Sequence, residues 1–248
     1  MNTMTSISPA ARFELAPAGR LRAGINYGNV TLATRDPGSG ELRGVHVDLA
    51  RELGRQLGVP VELRGRAAAG ALVEELKAGA LDVALLSFEP SRAEEISFSP
   101  AYLEVDATYL VPPGSPLRTA ADVDADGVRI AIAAQSVYEF YLMSRLKRAK
   151  LVNAPSTHAA FELFATAQLD ALVGLRPRLV ADSKMMPGSR IVDGRFMLVE
   201  QAVASPKGRS AGAQCIREFI EDAKTSGFIA RALEANGVRG VSIASHTG

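Results

Sequence analysis

The feature that most constrains this chain is an internal repeat. Residues 71–87 (ALVEELKAGALDVALLS) and 159–175 (AAFELFATAQLDALVGL) align without a gap. Glu74 falls on Glu162, Leu81-Asp82 on Leu169-Asp170, and Ser87 on Leu175. Each copy reads as a helix running into an apolar strand, and upstream of each the order strand, helix, strand recurs. Two such βαβαβ units of roughly 100 residues predict an α/β fold with two lobes. Residues 1–19 read as a polar, Pro-containing lead-in. Lobe 1 is expected over 20–106 plus 205–248, because the helical segment after about 205 needs an apolar partner, and lobe 2 over 107–204. The chain then crosses between lobes twice, near 104–108 and 199–204, which makes a two-strand hinge able to close on a ligand.

Composition narrows the function. The 248 residues carry a net charge of +1, so no bulk field favours nucleic acid or an anionic membrane. Cys215 is the only cysteine, which rules out an intrachain disulfide and a Cys-rich metal site; it reads as a core residue of a helix near 209–225. His46, His158 and His246 show no metal-ligand spacing. No apolar run approaches 18 residues, so membrane insertion is not expected. The first residues lack a basic and an apolar region, so no signal peptide is read. The chain is cytoplasmic as written, unless a leader has been removed. A monomer without cofactor or metal is expected.

Chemistry gathers in one stretch, Ser87 to Tyr102, which follows the apolar strand from Leu81. It reads as a polar loop. Ligands of open α/β sheets bind outside the carboxyl ends of the strands. A Ser hydroxyl and a guanidinium there make a carboxylate seat, since the arginine fork matches a carboxylate in bidentate geometry. Arg92 is the expected anchor; the alternative is an exposed pair with Glu89 or Glu94, worth little. Asp82 and Asp170 read as scaffold residues at strand starts, and Phe98 and Tyr102 as packing beneath the loop. Ser136 N-caps a helix, with Glu139 as capping-box partner.

Four segments in order carry a family resemblance: Gly40-Glu-Leu-Arg-Gly-Val-His-Val-Asp-Leu-Ala50, Ala78-Gly-Ala-Leu-Asp82, Arg92-Ala-Glu-Glu-Ile-Ser-Phe-Ser-Pro-Ala-Tyr102 and Ala167-Gln-Leu-Asp-Ala171. The set resembles the periplasmic solute-binding proteins of ABC importers, type II fold, amino-acid and polar-solute (family 3) branch. The resemblance implies a non-enzymatic protein that traps a small carboxylate-bearing solute, an organic acid or amino-acid-like molecule, between two lobes, with an ABC permease as partner. It places Arg92 and Ser87 on the ligand's carboxylate and Asn26, Tyr27 and Asn29 on the ligand-facing turn after the first strand. It places Gln135 and Ser136 on the second lobe's anion-binding turn, and Leu175 and Arg176 at the end of the repeated strand. Three positions depart from the family pattern. Leu175 stands where an acidic residue receives the α-amine of an amino acid, Ala69 where an aromatic residue is usual, and Gln135 where a glycine is usual. The loss of the amine acceptor points to a ligand without an ammonium group. Two alternatives remain open: a dehydratase resembling cyclohexadienyl dehydratase, with Glu139 as general acid, and a cytoplasmic ligand sensor.

Overall fold

A computed structural model describes residues 7–245, so His246 lies outside the described residues. The chain forms two compact units. The first takes the chain through Leu103, then Glu200–Arg239 and the stretch from Ile243; the second takes Glu104–Val199 and Gly240–Ser242. The crossings therefore lie at Leu103/Glu104 and Val199/Glu200, a few residues before the expected boundaries at 106/107 and 204/205, and Gly240–Ser242 belongs to the second unit rather than the first. One crossing falls at the first residues of β7 and the other within β12, and neither has a Gly or Pro at the junction to mark it.

In chain order the first unit contains α1 (Pro9–Leu15), β1 (Leu21–Asn26), β2 (Thr34–Arg35), β3 (Leu42–Arg43), α2 (Val45–Leu57), β4 (Val61–Arg66), α3 (Ala69–Lys77), β5 (Val83–Ser87), α4 (Pro90–Ala93) and β6 (Ile96–Phe98). β7 (Leu103–Val111) leads into the second unit, which continues with β8 (Arg129–Ala133), α5 (Val137–Met143), β9 (Lys150–Ala154), α6 (Thr157–Thr166), β10 (Ala171–Leu175), α7 (Arg176–Met185) and β11 (Arg190–Ile191). β12 (Met197–Pro206) returns the chain to the first unit, where α8 (Ser210–Thr225) and α9 (Phe228–Ala235) follow, and β13 (Ser242–Ile243) lies near the end.

The expected lead-in contains a helix. Pro9 stands at the start of α1, and the Ser8 hydroxyl accepts a hydrogen bond from the Ala11 N–H. Ala11 and Leu15 are buried. The Glu14 carboxylate accepts from the Gly212 N–H at 2.7 Å, which ties α1 to the start of α8. Seven residues are too few for periodicity to reveal a helix whose partner lies near the other end of the chain. The expected polar loop from Ser87 to Tyr102 likewise holds α4 and β6. Pro90 opens α4, and the Glu89 side chain caps it by accepting from the N–H groups of Ser91 and Arg92.

The two units repeat one layout. In the first, β1 lies parallel between β4 and β5, and β12 runs antiparallel to β5. In the second, β8 lies parallel between β9 and β10, and β7 runs antiparallel to β10. Alternate residues of the second sheet enter two different core clusters, Ile130, Ile132, Ala171 and Val173 on one side and Ala131 and Leu172 on the other. Strands buried on both faces read as continuous apolar runs.

The repeated Leu-Asp pair has a structural meaning. Asp82 precedes β5; its N–H donates to the Arg22 carbonyl, and its carboxylate accepts from the Arg22 backbone N–H at 3.0 Å and from Nε at 2.9 Å. Asp170 precedes β10 and does the same with Arg129, at 2.8 Å to the backbone N–H and 3.3 Å to Nε. Both aspartates are thus the scaffold residues the sequence suggested. Their surroundings differ. Asp82 is fully buried and also accepts from Arg209 Nη1 of the α8 start at 3.0 Å, whereas the Asp170 side chain is 40% exposed. Removing one partner of a buried ion pair costs about 3–5 kcal/mol, whereas an exposed pair is worth up to about 1 kcal/mol. Asp82→Ala is therefore expected to lower the urea unfolding midpoint strongly and Asp170→Ala only slightly. Equal losses in the two variants contradict this account of the clasp.

Candidate functional site

In the first unit the polar groups collect at the carboxyl ends of β1 and β5. Asn26 ends β1, and its side-chain oxygen accepts from the Gly28 N–H at 3.0 Å, closing a turn. Gly28 is required there, because a Cβ would fall 2.0 Å from the Ala67 carbonyl oxygen. Tyr27 is half-buried, with the Arg35 guanidinium over its ring at 5.8 Å. Asn29 ends the turn, and its Nδ2 donates to Gln201 Oε1 of β12 at 3.4 Å. Gln201 Nε2 in turn donates to the Ser87 hydroxyl oxygen at 2.9 Å. Asn29, Gln201 and Ser87 therefore form one chain of hydrogen bonds.

Arg92 lies in α4, just beyond β5. It is 6% exposed, which removes the alternative of an exposed surface pair. Burial holds its pKa below the ordinary arginine range, and the charge of Glu89 opposes that shift. Burial pushes Glu89 upward, but the hydrogen bonds from Ser91 and the Arg92 N–H, with the Arg92 charge, outweigh it and leave the carboxyl below its ordinary value. Phe98 packs edge-on against Phe88, with ring centroids 5.3 Å apart, and Tyr102 is fully buried, both as packing beneath this segment.

In the second unit the equivalent strand ends carry different chemistry. Gln135 follows β8 with φ +55°, a left-handed conformation that favours glycine, the residue its family pattern would place there. Ser136 caps α5 by accepting from the Glu139 N–H at 3.3 Å and donates to the Ala133 carbonyl at 2.6 Å. The Glu139 carboxylate does not close the expected capping box on Ser136. It accepts from the Gln135 N–H at 2.5 Å and from the Asn153 side chain. That N–H is therefore already bonded to a carboxylate. Leu175 is buried in an apolar cluster with Val105, Ala107, Val137 and Val199. Arg176 is committed locally: Nη2 donates to the Gly194 carbonyl at 2.5 Å, and Nε lies 3.5 Å from Asp106, which also pairs with Arg195.

Comparison with known proteins identifies the family. The model of the bacterial extracellular solute-binding proteins, family 3, matches residues 21–236. The chain belongs to that family. A curated relative, the ABC transporter glutamine-binding protein GlnH of Bacillus subtilis (strain 168), is 22% identical over 208 residues, covering 82% of this chain and 76% of its own. Two solved structures share the fold. A binding component of an ABC transporter from Wolinella succinogenes DSM 1740, complexed with lysine, superposes with a TM-score of 0.80 at 21% identity, covering 90% of this chain and 97% of its own. The ancestral amino acid-binding protein AncCDT-1, a precursor of cyclohexadienyl dehydratase, superposes with a TM-score of 0.79 at 21% identity, covering 91% and 98%. The family 3 assignment, the two-lobed type II periplasmic-binding-protein fold and the amino-acid-transport branch all agree with the resemblance read from the sequence.

Two residues escaped the sequence reading. Gln201 lies within β12, where its only sequence signal is a polar side chain following Glu200 in a strand. His46 was noted only for its lack of metal spacing. It is fully buried, its ring nitrogens find no hydrogen-bond partner among the described residues, and its ring meets Tyr102 edge-on at 6.2 Å. Tyr102 in turn donates its N–H to the Gln201 carbonyl. Burial lowers the His46 pKa from 6.5 to about 3. The folded pKa is depressed, so the unfolded chain binds the extra proton below about pH 6.5 and stability falls as pH drops from there toward 3, by up to about 1.4 kcal/mol per pH unit. Between about pH 6.5 and 4.5 the wild type is expected to lose about 2–3 kcal/mol more than His46→Leu in urea unfolding. Parallel pH profiles for the two proteins contradict the assignment of a neutral buried imidazole.

Proposed function

We propose that this chain is the solute-binding component of an ABC importer and that its solute carries a carboxylate but no ammonium group. One contrast carries the reading. The carboxyl end of β5 presents the Ser87 hydroxyl and the buried Arg92 guanidinium, whereas the equivalent end of β10 presents Leu175 inside an apolar cluster. The first is suited to an anion. The second offers nothing to a cation, since the nearby Asp106 is held by Arg176 and Arg195. Asn26, Tyr27 and Asn29 shape the adjoining wall, and Gln135 and Ser136 the turn at the second unit. The glutamine-binding relative and the lysine-complexed structure support a solute of amino-acid size, and the missing amine acceptor argues for its charge.

The dehydratase reading is weaker. A general acid has to hand its proton to the substrate, and both oxygens of Glu139 accept hydrogen bonds from the chain's own N–H groups.

A thermal-shift screen tests the proposal. Succinate, glutarate and lactate are expected to stabilise the protein more than L-glutamine, L-arginine or L-lysine; an acid at about 100 times its Kd adds about 2.7 kcal/mol. Larger shifts with the amino acids overturn the absence of an ammonium group. Arg92→Lys keeps the charge and removes the fork, so calorimetric affinity for the best acid should fall by about tenfold or more. Unchanged affinity removes Arg92 from the site.

A further inference from the structure

We propose that Gln201 is a positioning residue that sets the hydrogen-bond polarity of the anion seat. The inference rests on the carboxylate reading above. Gln201 is fully buried on β12, and its amide is engaged at both ends, with Nε2 donating to Ser87 Oγ at 2.9 Å and Oε1 accepting from Asn29 Nδ2 at 3.4 Å. An amide has distinct donor and acceptor ends, so the chain has a direction: Asn29 donates to Gln201, and Gln201 donates to Ser87. A serine hydroxyl has one hydrogen to give. Because Ser87 accepts from Gln201, that hydrogen stays available for an acceptor outside the chain of bonds. A carboxylate oxygen is such an acceptor, and a hydrogen bond to a charged group is stronger than one between neutral groups. The reverse polarity would spend the Ser87 hydrogen on Gln201 and turn a lone pair toward the anion. The register of β12 fixes this arrangement, since Gln201 lies opposite Ser87 in the antiparallel pair. In this direction Asn29 Nδ2 meets Gln201 Oε1.

The polarity is read first in the ligand-free protein, from the side-chain amide NMR signals of Gln201. Ser87→Ala is expected to shift the Gln201 amide protons and speed their exchange; signals that do not respond overturn the hydrogen bond on which the inference stands. Calorimetry with succinate and its neutral diamide, succinamide, then reads recognition. Gln201→Glu supplies acceptors only, so the Ser87 hydrogen turns inward, and succinate affinity is expected to fall roughly 10–100-fold while succinamide affinity changes much less. The added charge alone also repels succinate, so the same substitution in a Ser87→Ala background is expected to cost much less. If Gln201→Glu does not fold, Asn29→Asp reverses the same amide from its far end and should give the same selective loss. A loss shared equally by succinate and succinamide marks Gln201 as merely structural and overturns the proposal, as does wild-type succinate affinity in the variant. The two readings fail separately. If Ser87→Ala weakens succinate binding and Gln201→Glu does not, the carboxylate site stands and the role of Gln201 falls. If the wild type binds no succinate while the amide signals respond to Ser87→Ala, the hydrogen bond to Ser87 stands and the carboxylate reading falls.

Discussion

The first unit depends on a fully buried carboxylate. Asp82 holds Arg22 through its backbone and its guanidinium and takes a further hydrogen bond from Arg209 at the start of α8. One side chain thereby fixes the relation of β1, β5 and α8, and Arg209 extends it to α1 by donating to the Glu14 carbonyl. A buried charge tolerates this position only because it is fully paired. The consequence for function is registration. With the amino ends of β1 and β5 clasped and their pairing parallel, the carboxyl ends bring the Asn26–Asn29 turn and Ser87 to one edge of the sheet, where Gln201 joins them.

The second unit uses the same clasp and the same strand order for a different purpose. Asp170 and Arg129 repeat the backbone geometry without the burial. At the far ends of the strands, the first unit keeps polar groups linked in a directed chain, and the second closes the corresponding place with Leu175 and ties Arg176 to Asp106 and Gly194. The same scaffold occurs twice, and the chemistry of the strand ends differs between the copies. The clasp lies at one end of the parallel strands, and the linked side chains of Asn29, Gln201 and Ser87 lie at the other.

What the sequence revealed follows from how local each feature is. The Leu-Asp repeat was legible because helix, strand and clasp aspartate lie within one short segment of each copy. The polar segment after β5 was legible because turn-forming residues follow an apolar run directly. The helix α1 was not, since its burial against α8 depends on residues near the other end of the chain. The commitments of Arg176 and Gln201 were hidden for the same reason. Gln201 meets Ser87 across 114 positions and Asn29 across 172, and no local pattern encodes such a meeting. The unit boundaries were not legible because no turn-forming residue stands at either junction.

The central claim is that the carboxyl end of β5 seats a carboxylate. A crystal structure of the protein with the acid that stabilises it most tests this directly. Carboxylate oxygens are expected within hydrogen-bond distance of both the Arg92 guanidinium and the Ser87 hydroxyl. A carboxylate bound away from both groups contradicts it.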